Sequence, residues 1–262
     1  MQSSKPLKLA TSLTPETSQI AQNMAFSCGA SHGGPTAAKS SSRGSESELS
    51  AKPVQSTVAV TGKQSASGRR TTSTFLSVRQ VENVFAAASF AIHLEMPLSR
   101  FVTLAWEHGS VEDPATATQR FLKLVRDALR KHGQDTTWVW VHECGPTAGM
   151  HVHLLLHIPP TYLKWFNRRC AGWMKRCGAA RRAGVRHSRH VGISSDLISV
   201  TPEGETYMLN LQRALEYMVK DACLEARKAF SLTRQGDHGV VVGKRCGVSQ
   251  NTGPKARAAN LQ

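Results

Sequence analysis

The sequence has 262 residues with 33 Lys or Arg against 18 Asp or Glu, so its formal net charge is +15. Such an excess of positive charge predicts an anionic partner, and nucleic acid is the leading one. The six cysteines include no Cys-x-x-Cys pair, which excludes a zinc ribbon and a disulfide framework and favours the reducing cytoplasm. The longest apolar run, residues 84–92, is too short to span a bilayer, so we expect a cytoplasmic protein without a membrane partner.

The first part of the chain is predicted to lack a folded core. Residues 1–75 contain 25 Ser or Thr and only two aromatic residues, Phe26 and Phe75, so they bury too little apolar surface to offset the entropy lost on folding. We therefore expect a disordered tail over residues 1–75 and an uncertain linker over residues 76–96. The alternative is that translation begins downstream, for instance at Met96.

From residue 97 the pattern becomes that of one compact domain, expected over residues 97–235 and followed by a basic C-terminal extension over 236–262. Alternating apolar residues predict strands, and apolar residues three and four apart predict helices. The strands are expected at 101–106, 138–143, 149–157 and 192–200, and the helices at 113–133, 161–177 and 205–230. This order predicts an α+β fold with helices flanking an antiparallel sheet.

Two histidines stand out in the third predicted strand. His151 and His153 are two residues apart in an apolar strand, so their side chains point to the same face. A divalent metal would satisfy both imidazoles at once, whereas the alternative is a solvated sheet face that binds nothing. Glu143 ends the preceding strand, and residues 144–149 read as a hairpin connection, which predicts a carboxylate beside the histidines and an open metal site.

Residues 164–190 form a basic run that contains no Asp or Glu. Aromatic residues lie within or beside the run, so groups that neutralise phosphates alternate with rings that can stack on bases. The alternative is a solvated helix face whose aromatic residues belong to the core. The cations of the run are Lys164, Arg168, Arg169, Lys175, Arg176, Arg181, Arg182, Arg186 and Arg189.

The predicted last helix carries a tyrosine beside a lysine. Tyr217 and Lys220 are three residues apart, so they lie on one helix face, together with Arg213 in the same polar stripe. A phenol is a weak nucleophile at neutral pH, and a neighbouring ammonium or metal would favour its attacking form. The alternative is an ordinary surface tyrosine beside a solvated lysine. Residues 239–245 superficially resemble a phosphate loop, but their spacing does not fit and we assign no ATPase role.

Three segments in this order resemble the motifs of the HUH endonuclease superfamily, and most closely its single-tyrosine rolling-circle replication initiators. They are Phe101-Val102-Thr103-Leu104, His151-Val152-His153 and Tyr217-Met218-Val219-Lys220. The resemblance covers about residues 100–222 and implies a ferredoxin-like or RRM-like palm. It implies that His151, His153 and Glu143 bind Mg²⁺ or Mn²⁺, that Tyr217 is the nucleophile, and that Lys220 assists it. Arg213 stands where a second tyrosine would lie, which argues against a two-tyrosine mechanism.

The implied function is nicking and joining of single-stranded DNA through a 5′-phosphotyrosine, initiating rolling-circle replication of a plasmid, phage or similar element. The expected partner is single-stranded DNA at a replication origin, with host replication proteins as further partners. A single-tyrosine transposase or a relaxase would use the same residues, and a non-catalytic nucleic-acid-binding protein would need no metal. The residues expected to bind DNA are Lys164, Arg168, Arg169, Lys175, Arg176, Arg181, Arg182 and Arg213.

Overall fold

Five antiparallel strands form the main sheet in the computed structural model, which describes residues 71–191 and 202–260. The described strands are β1 (Thr72–Ser73), β2 (Arg100–Leu104), β3 (Trp138–Gly145), β4 (Gly149–Leu156), β5 (Arg186–His190), β6 (Val241–Val242) and β7 (Cys246–Val248). Their order across the sheet is β5-β2-β4-β3-β7, and β1 pairs separately with β6. Strand β4 is therefore central, and β5 forms one edge.

The described helices flank this sheet, which confirms the predicted α+β class. They are α1 (Val78–His93), α2 (Pro114–Arg130), α3 (Leu163–Arg176), α4 (Pro202–Met218), α5 (Leu224–Ala229) and α6 (Pro254–Ala259), with 3-10 turns at Pro160–Tyr162 and Gln250–Thr252. Among the helices in the described part of the chain, none is long and apolar enough to cross a membrane.

The two faces of the sheet bury separate apolar cores, because successive strand residues point to opposite sides. On one side, Phe101, Val141 and Leu155 pack with apolar residues of α1 and α4. We call this side the α4 face. On the other side, Val102 and Leu154 pack with apolar residues of α2 and α3. We call this side the α3 face.

Helix α1 occupies most of the segment that we expected to be a linker. Ser77 caps its first turn, and Ser77 and Gln80 exchange side-chain hydrogen bonds with each other's backbone N–H groups. Val81 and Val84 are fully buried in the core of the α4 face. A chain that started at Met96 would lack this helix and expose that part of the core. Of the expected disordered tail, residues 1–70 lie outside the described part of the chain. Thr72–Ser73, near its end, form β1.

The predicted α2 and α3 are present with small shifts at their ends. The Asp113 side chain accepts a hydrogen bond from the Thr116 N–H at 3.1 Å, and Pro114 is the first residue of α2. Gly133 adopts a left-handed backbone with φ of 68°, three residues after α2 ends at Arg130. The predicted helix at 161–177 divides into the first 3-10 turn and α3.

The predicted single helix over 205–230 is wrong, because the chain breaks between α4 and α5. Leu76 pairs with this break, donating from its N–H to the Asp221 carbonyl and accepting from the Cys223 N–H, both at 2.9 Å. The Asp221 carboxylate also accepts a hydrogen bond from the buried Arg245 guanidinium at 3.3 Å. These long-range partners replace the bonds of a continuous helix. Lys220 consequently lies in the turn after α4 rather than on a helix face.

The last part of the chain joins the sheet, although residues 236–262 were expected to form a basic extension outside the domain. Strand β7 pairs with β3, with Trp140 opposite Gly247, and the His142 N–H donates to the Arg245 carbonyl at 2.7 Å. Gly247 is required by space, since an added Cβ would lie 2.7 Å from the Trp140 ring. The predicted strand at 192–200 falls outside the described residues, and the strand that pairs with β2 is the preceding β5.

Candidate metal centre and nucleophile

The β3–β4 hairpin sets the position of the two histidines and the glutamate. Glu143 lies directly opposite His151 in the antiparallel register, and Val141 lies opposite His153. All three polar side chains therefore project from the α4 face near the centre of the sheet. They are buried, with exposed fractions of 4% for Glu143, 8% for His151 and 2% for His153. The register that the sequence predicted for this hairpin is the one observed.

Both imidazoles point their Nε2 atoms towards one oxygen of the Glu143 carboxylate. Glu143 Oε2 lies 3.3 Å from His151 Nε2 and 3.4 Å from His153 Nε2. The potential ligand atoms of the three residues lie within 4.8 Å of one another. Two imidazole nitrogens and one carboxylate oxygen form a donor set that suits a divalent transition metal and leaves positions open for a substrate.

Hydrogen bonds from the outer ring nitrogens orient both imidazoles. His151 Nδ1 lies 2.9 Å from the Gly149 carbonyl, and because a carbonyl only accepts, this nitrogen carries the proton. His151 Nε2, the other ring nitrogen, faces Glu143 Oε2. His153 Nδ1 pairs with the Thr103 hydroxyl at 2.8 Å. Such bonds fix the rings of metal-binding histidines, so Thr103 of the first motif supports the second motif.

Polar atoms without partners support a cation at this position. His153 Nε2 and Glu143 Oε1 are buried and have no hydrogen-bond partner among the described residues. Buried polar atoms of this kind are costly unless something satisfies them, and a metal ion would do so. The residues present therefore fit a divalent cation.

The charge states of the residues also suit metal binding. Burial lowers the pKa of His153 and keeps its imidazole neutral, even though Glu143 acts in the opposite direction. Burial alone would raise the pKa of Glu143, but its interactions with His151, His153 and Lys220 outweigh this and hold the pKa below its usual range. A neutral imidazole and an ionised carboxylate are the forms that coordinate metals.

Tyr217 and Lys220 lie next to this group. The Tyr217 ring is centred 5.0 Å from the His153 ring and 6.0 Å from the Phe101 ring. Lys220 Nζ lies 4.3 Å from the centre of the Tyr217 ring and donates a hydrogen bond to Glu143 Oε2. One ammonium thus contacts both the predicted nucleophile and the predicted ligand set. All five residues expected to carry the chemistry come together on the α4 face.

The comparison with protein families agrees with this grouping. Residues 99–223, just under half of the chain, match the model of a family described as replication-associated proteins. The matched segment is similar to this family. It contains both histidines, the glutamate, Tyr217 and Lys220, and it agrees with the resemblance to rolling-circle initiators. No curated protein and no solved structure shows a significant match to the chain.

The matched family is one of replication-associated proteins, and the structure distinguishes the three tyrosines of the chain. Tyr207 is fully buried, and its hydroxyl donates to the Leu98 carbonyl at 3.4 Å. Burial raises the pKa of Tyr207 well above its usual value, so this phenol stays protonated. Tyr162 lies beside His132 and Trp165 on the α3 face. Only Tyr217, among the three, adjoins the histidine pair.

The residues expected to bind DNA do not gather around Tyr217. Helix α3 packs Phe166 and Cys170 into the core of the α3 face, so its cations project from the side of the sheet opposite to the histidines. Arg213 lies separately on α4. All the cations in this predicted set are exposed: Lys164, Arg168, Arg169, Lys175, Arg176, Arg181, Arg182 and Arg213.

Two arginines near Tyr217 were not singled out from the sequence as site residues. Arg189 lies opposite Phe101 in the sheet register, and its Cζ lies 4.8 Å from the centre of the Phe101 ring. Arg234 follows α5, and its Cζ lies 5.9 Å from the centre of the Tyr217 ring. The alternation within β5 could have indicated Arg189, had that strand been recognised. No local pattern indicates Arg234, because a long-range contact places it.

Proposed function

We propose that this protein nicks and rejoins single-stranded DNA through a covalent bond between Tyr217 and a 5′-phosphate, and so initiates rolling-circle replication. The observation that supports it most is the juxtaposition of a buried Glu143–His151–His153 group with the one tyrosine that lies beside it. The match to the replication-associated protein family supports the replication role.

The reaction uses residues on the α4 face. The Tyr217 phenolic oxygen loses its proton and attacks phosphorus, the bond from phosphorus to the 3′ oxygen breaks, and that oxygen leaves as a protonated hydroxyl. A divalent cation held by Glu143, His151 and His153 would polarise the scissile phosphate, and the two imidazoles favour Mn²⁺ slightly over Mg²⁺. Lys220 offsets the negative charge that develops on the phenolic oxygen. Rejoining is the reverse attack by a 3′-hydroxyl, so it requires no nucleotide hydrolysis.

Arg189 and Arg234 supply positive charge on the face where this reaction occurs. Their guanidinium groups lie near the rings of Phe101 and Tyr217, where they can contact phosphates on either side of the scissile bond. The cations of α3 lie on the opposite side of the sheet. We therefore assign Arg189 and Arg234 to positioning the reacting strand and the α3 cations to general binding of DNA.

A covalent adduct is the decisive test. The full chain is incubated with Mn²⁺ and a pool of randomised single-stranded oligonucleotides labelled at the 3′ end, then boiled in detergent and separated by electrophoresis. We expect label to migrate with the protein, and peptide mapping should place the nucleotide on Tyr217. An adduct on Tyr162 or Tyr207 would refute the assignment. No adduct with any divalent metal would favour the non-catalytic binding protein.

The adduct alone does not separate replication from transposition or conjugal transfer, since all three use the same chemistry. The family match favours replication. A plasmid whose origin is nicked by the protein should accumulate single-stranded circles when the chain is expressed with it. Excision or transfer of the DNA without such circles would instead support a transposase or a relaxase.

A further inference from the structure

The α3 face contains a second charged group that the reaction described above does not use. Arg100, at the start of β2, is only 5% exposed, and its Nη2 donates to Asn167 Oδ1 at 3.3 Å. Its Nε and Nη1 are buried and have no hydrogen-bond partner within residues 71–191 and 202–260. Arg186 Nη1 and Ser188 Oγ on β5 share this condition. Three neighbouring side chains thus present unsatisfied polar atoms.

The sheet register places these atoms on one side. Leu104 lies opposite Arg186, Val102 opposite Ser188, and Arg100 opposite His190. Arg100, Arg186 and Ser188 therefore project from the α3 face, beneath α3. Both guanidinium groups lie close enough to the Cys170 thiol of α3 to act on it electrostatically. The two arginines, on adjacent strands, thus flank the same thiol on this face.

No negative charge balances this pair among the described residues. Neither Arg100 nor Arg186 forms an ion pair with any described carboxylate. Burial raises the pKa of the Cys170 thiol to about 11, so the group beside them is neutral. Burial, followed by the charge of Arg186, lowers the pKa of Arg100. A buried guanidinium beside a second, partly buried one is unfavourable without a counter-ion, and a bound anion would relieve the repulsion.

A cavity leads to the Arg186 side of this group. Arg186 lines a cavity of about 630 Å³ between α3 and the connection that leads to β5. Lys175, Arg181 and Arg182 also line it and are exposed. An anion that enters would pass three cations before it meets the unsatisfied guanidinium of Arg186. The fork of N–H donors on an arginine matches the oxygens of a phosphate group.

We propose that Arg100, Arg186 and Ser188 form a second phosphate-binding site, which holds a backbone phosphate of the DNA on the side of the sheet opposite to Tyr217. The identity of the phosphate rests on the proposed function, whereas the existence of an anion site does not. Strand β5 is an edge strand that points Arg189 to one face and Arg186 to the other. One strand thus supplies a cation to both sides of the sheet, and the DNA follows this edge.

Binding of DNA without cleavage tests the site. The full chain is titrated with a labelled single-stranded oligonucleotide in a chelating buffer over a range of salt concentrations. The variants are Arg186→Met and the double variant Arg100→Met/Arg186→Met. We expect the double variant to bind about tenfold more weakly, with a slope of log affinity against log salt that is shallower by about 0.7 for each phosphate lost. The control is Arg130→Met, which removes an exposed arginine from α2 on the same face.

A second measurement distinguishes binding of a DNA backbone phosphate from binding of a free anion. The melting temperature is compared in inorganic phosphate and in chloride at equal ionic strength. Phosphate should raise the melting temperature of the wild type and of Arg130→Met, but not that of the double variant. The double variant should be at least as stable as the wild type in chloride, because it removes the unpaired buried charge of Arg100 and the partly buried charge of Arg186. If it does not fold, Arg186→Met alone decides, since its side chain is only partly buried at the sheet edge.

Each outcome bears on the proposal. Unchanged affinity and slope in both variants would overturn it, as would an equal loss in Arg130→Met, which would indicate net charge alone. A phosphate-dependent rise in melting temperature with unchanged DNA binding would assign the site to a free anion and overturn the backbone assignment. None of these measurements depends on nicking, so failure of the Tyr217 chemistry would leave the result interpretable.

Discussion

The two faces of the sheet differ in how their polar groups are satisfied. On the α4 face, the buried Glu143, His151 and His153 contact one another and the half-buried Tyr217 and Lys220 within one group. On the α3 face, cations point outward from α3, and Arg100 and Arg186 beneath it form no ion pair with a described carboxylate. The first arrangement concentrates chemically distinct groups at one place, as a reaction requires. The second spreads one sign of charge over a surface, as general binding of a polyanion requires.

The largest expected effect comes from removing one oxygen atom from the α4 face, which should stop the reaction and leave DNA binding unchanged. Tyr217→Phe should lower formation of the covalent adduct by about 10³-fold or more, because no other group can supply the bridging oxygen. DNA affinity in chelating buffer should stay within about twofold of the wild type, since the cations are unchanged. Electrophoresis of labelled adducts and a parallel binding titration measure the two quantities.

Tyr162→Phe is the matched control, since it removes the same atom from a tyrosine on the α3 face. It should keep both adduct formation and binding. Adduct formation in Tyr217→Phe at the wild-type rate would contradict the assignment of the reaction to the α4 face.

Removal of the proposed ligands should have the next largest effect. His151→Ala/His153→Ala should abolish nicking while leaving most of the DNA affinity. The metal that these ligands would hold acts on the scissile phosphate, whereas the surface cations supply most of the attraction for the DNA backbone. A saturating divalent metal should raise the stability of the wild type, by about 2.7 kcal/mol at a hundredfold excess over its dissociation constant. The double variant should lose this gain. Thermal melts with Mn²⁺ and with a chelator measure it.

Glu143→Gln should also weaken metal binding, and it keeps the size of the side chain. Lys220→Met provides the comparison, because Lys220 contacts the same carboxylate oxygen but supplies no metal ligand. It should slow adduct formation and retain the metal-dependent gain in stability. Near-normal nicking by the histidine double variant in chelating buffer would eliminate the metal site.

The sequence was sufficient for the α4 face where local rules set the geometry. A short hairpin fixes the register of Glu143 against His151, and the two-residue period places His153 beside His151. The contact of Tyr217 with His153 required a long-range arrangement that the residues alone do not give. The resemblance to the HUH superfamily supplied it, and the structure places both residues together.

Long-range pairing accounts for what the sequence did not reveal. Leu76 bonds to both sides of the break between α4 and α5, so the apolar period of one long helix was misleading. Strand β5 consists of Arg186–His190, whose polar residues lack the apolar alternation of a strand. It is a strand because β2 pairs with it. Arg100 and Arg186 are far apart in the sequence, and that pairing places them on adjacent strands.

Charge removal on the α3 face should have a smaller effect than loss of the ligands. Replacing Arg168, Arg169, Arg181 and Arg182 together with Ala should weaken binding to all DNA sequences alike, by about 10- to 100-fold, and flatten the salt dependence. The rate of adduct formation at saturating DNA should change little, because these side chains lie on the other side of the sheet from Tyr217. Binding titrations at several salt concentrations provide the slope.

Arg189→Gln and Arg234→Gln on the α4 face provide the contrast. They should lower the rate of adduct formation at saturating DNA, with a smaller change in the salt slope than the four-arginine variant shows. If all of these variants changed binding and rate in the same proportion, the distinction between a reacting face and a binding face would not hold. An unchanged slope in the four-arginine variant would mean that its cations are only a solvated surface.

The smallest expected effect comes from the scaffold of the α3 face. The Asp113 side chain accepts from the Thr116 N–H at 3.1 Å at the start of α2, and this cap is remote from the nucleophile. Asp113→Ala should lower the free energy of unfolding by about 1 kcal/mol, as the loss of a helix cap commonly does. Asp113→Asn should recover most of the loss, since its amide oxygen can still accept. Denaturant titration measures both, and adduct formation per folded molecule should equal that of the wild type. A reduced rate in a fully folded Asp113→Ala sample would show that α2 influences the reacting face.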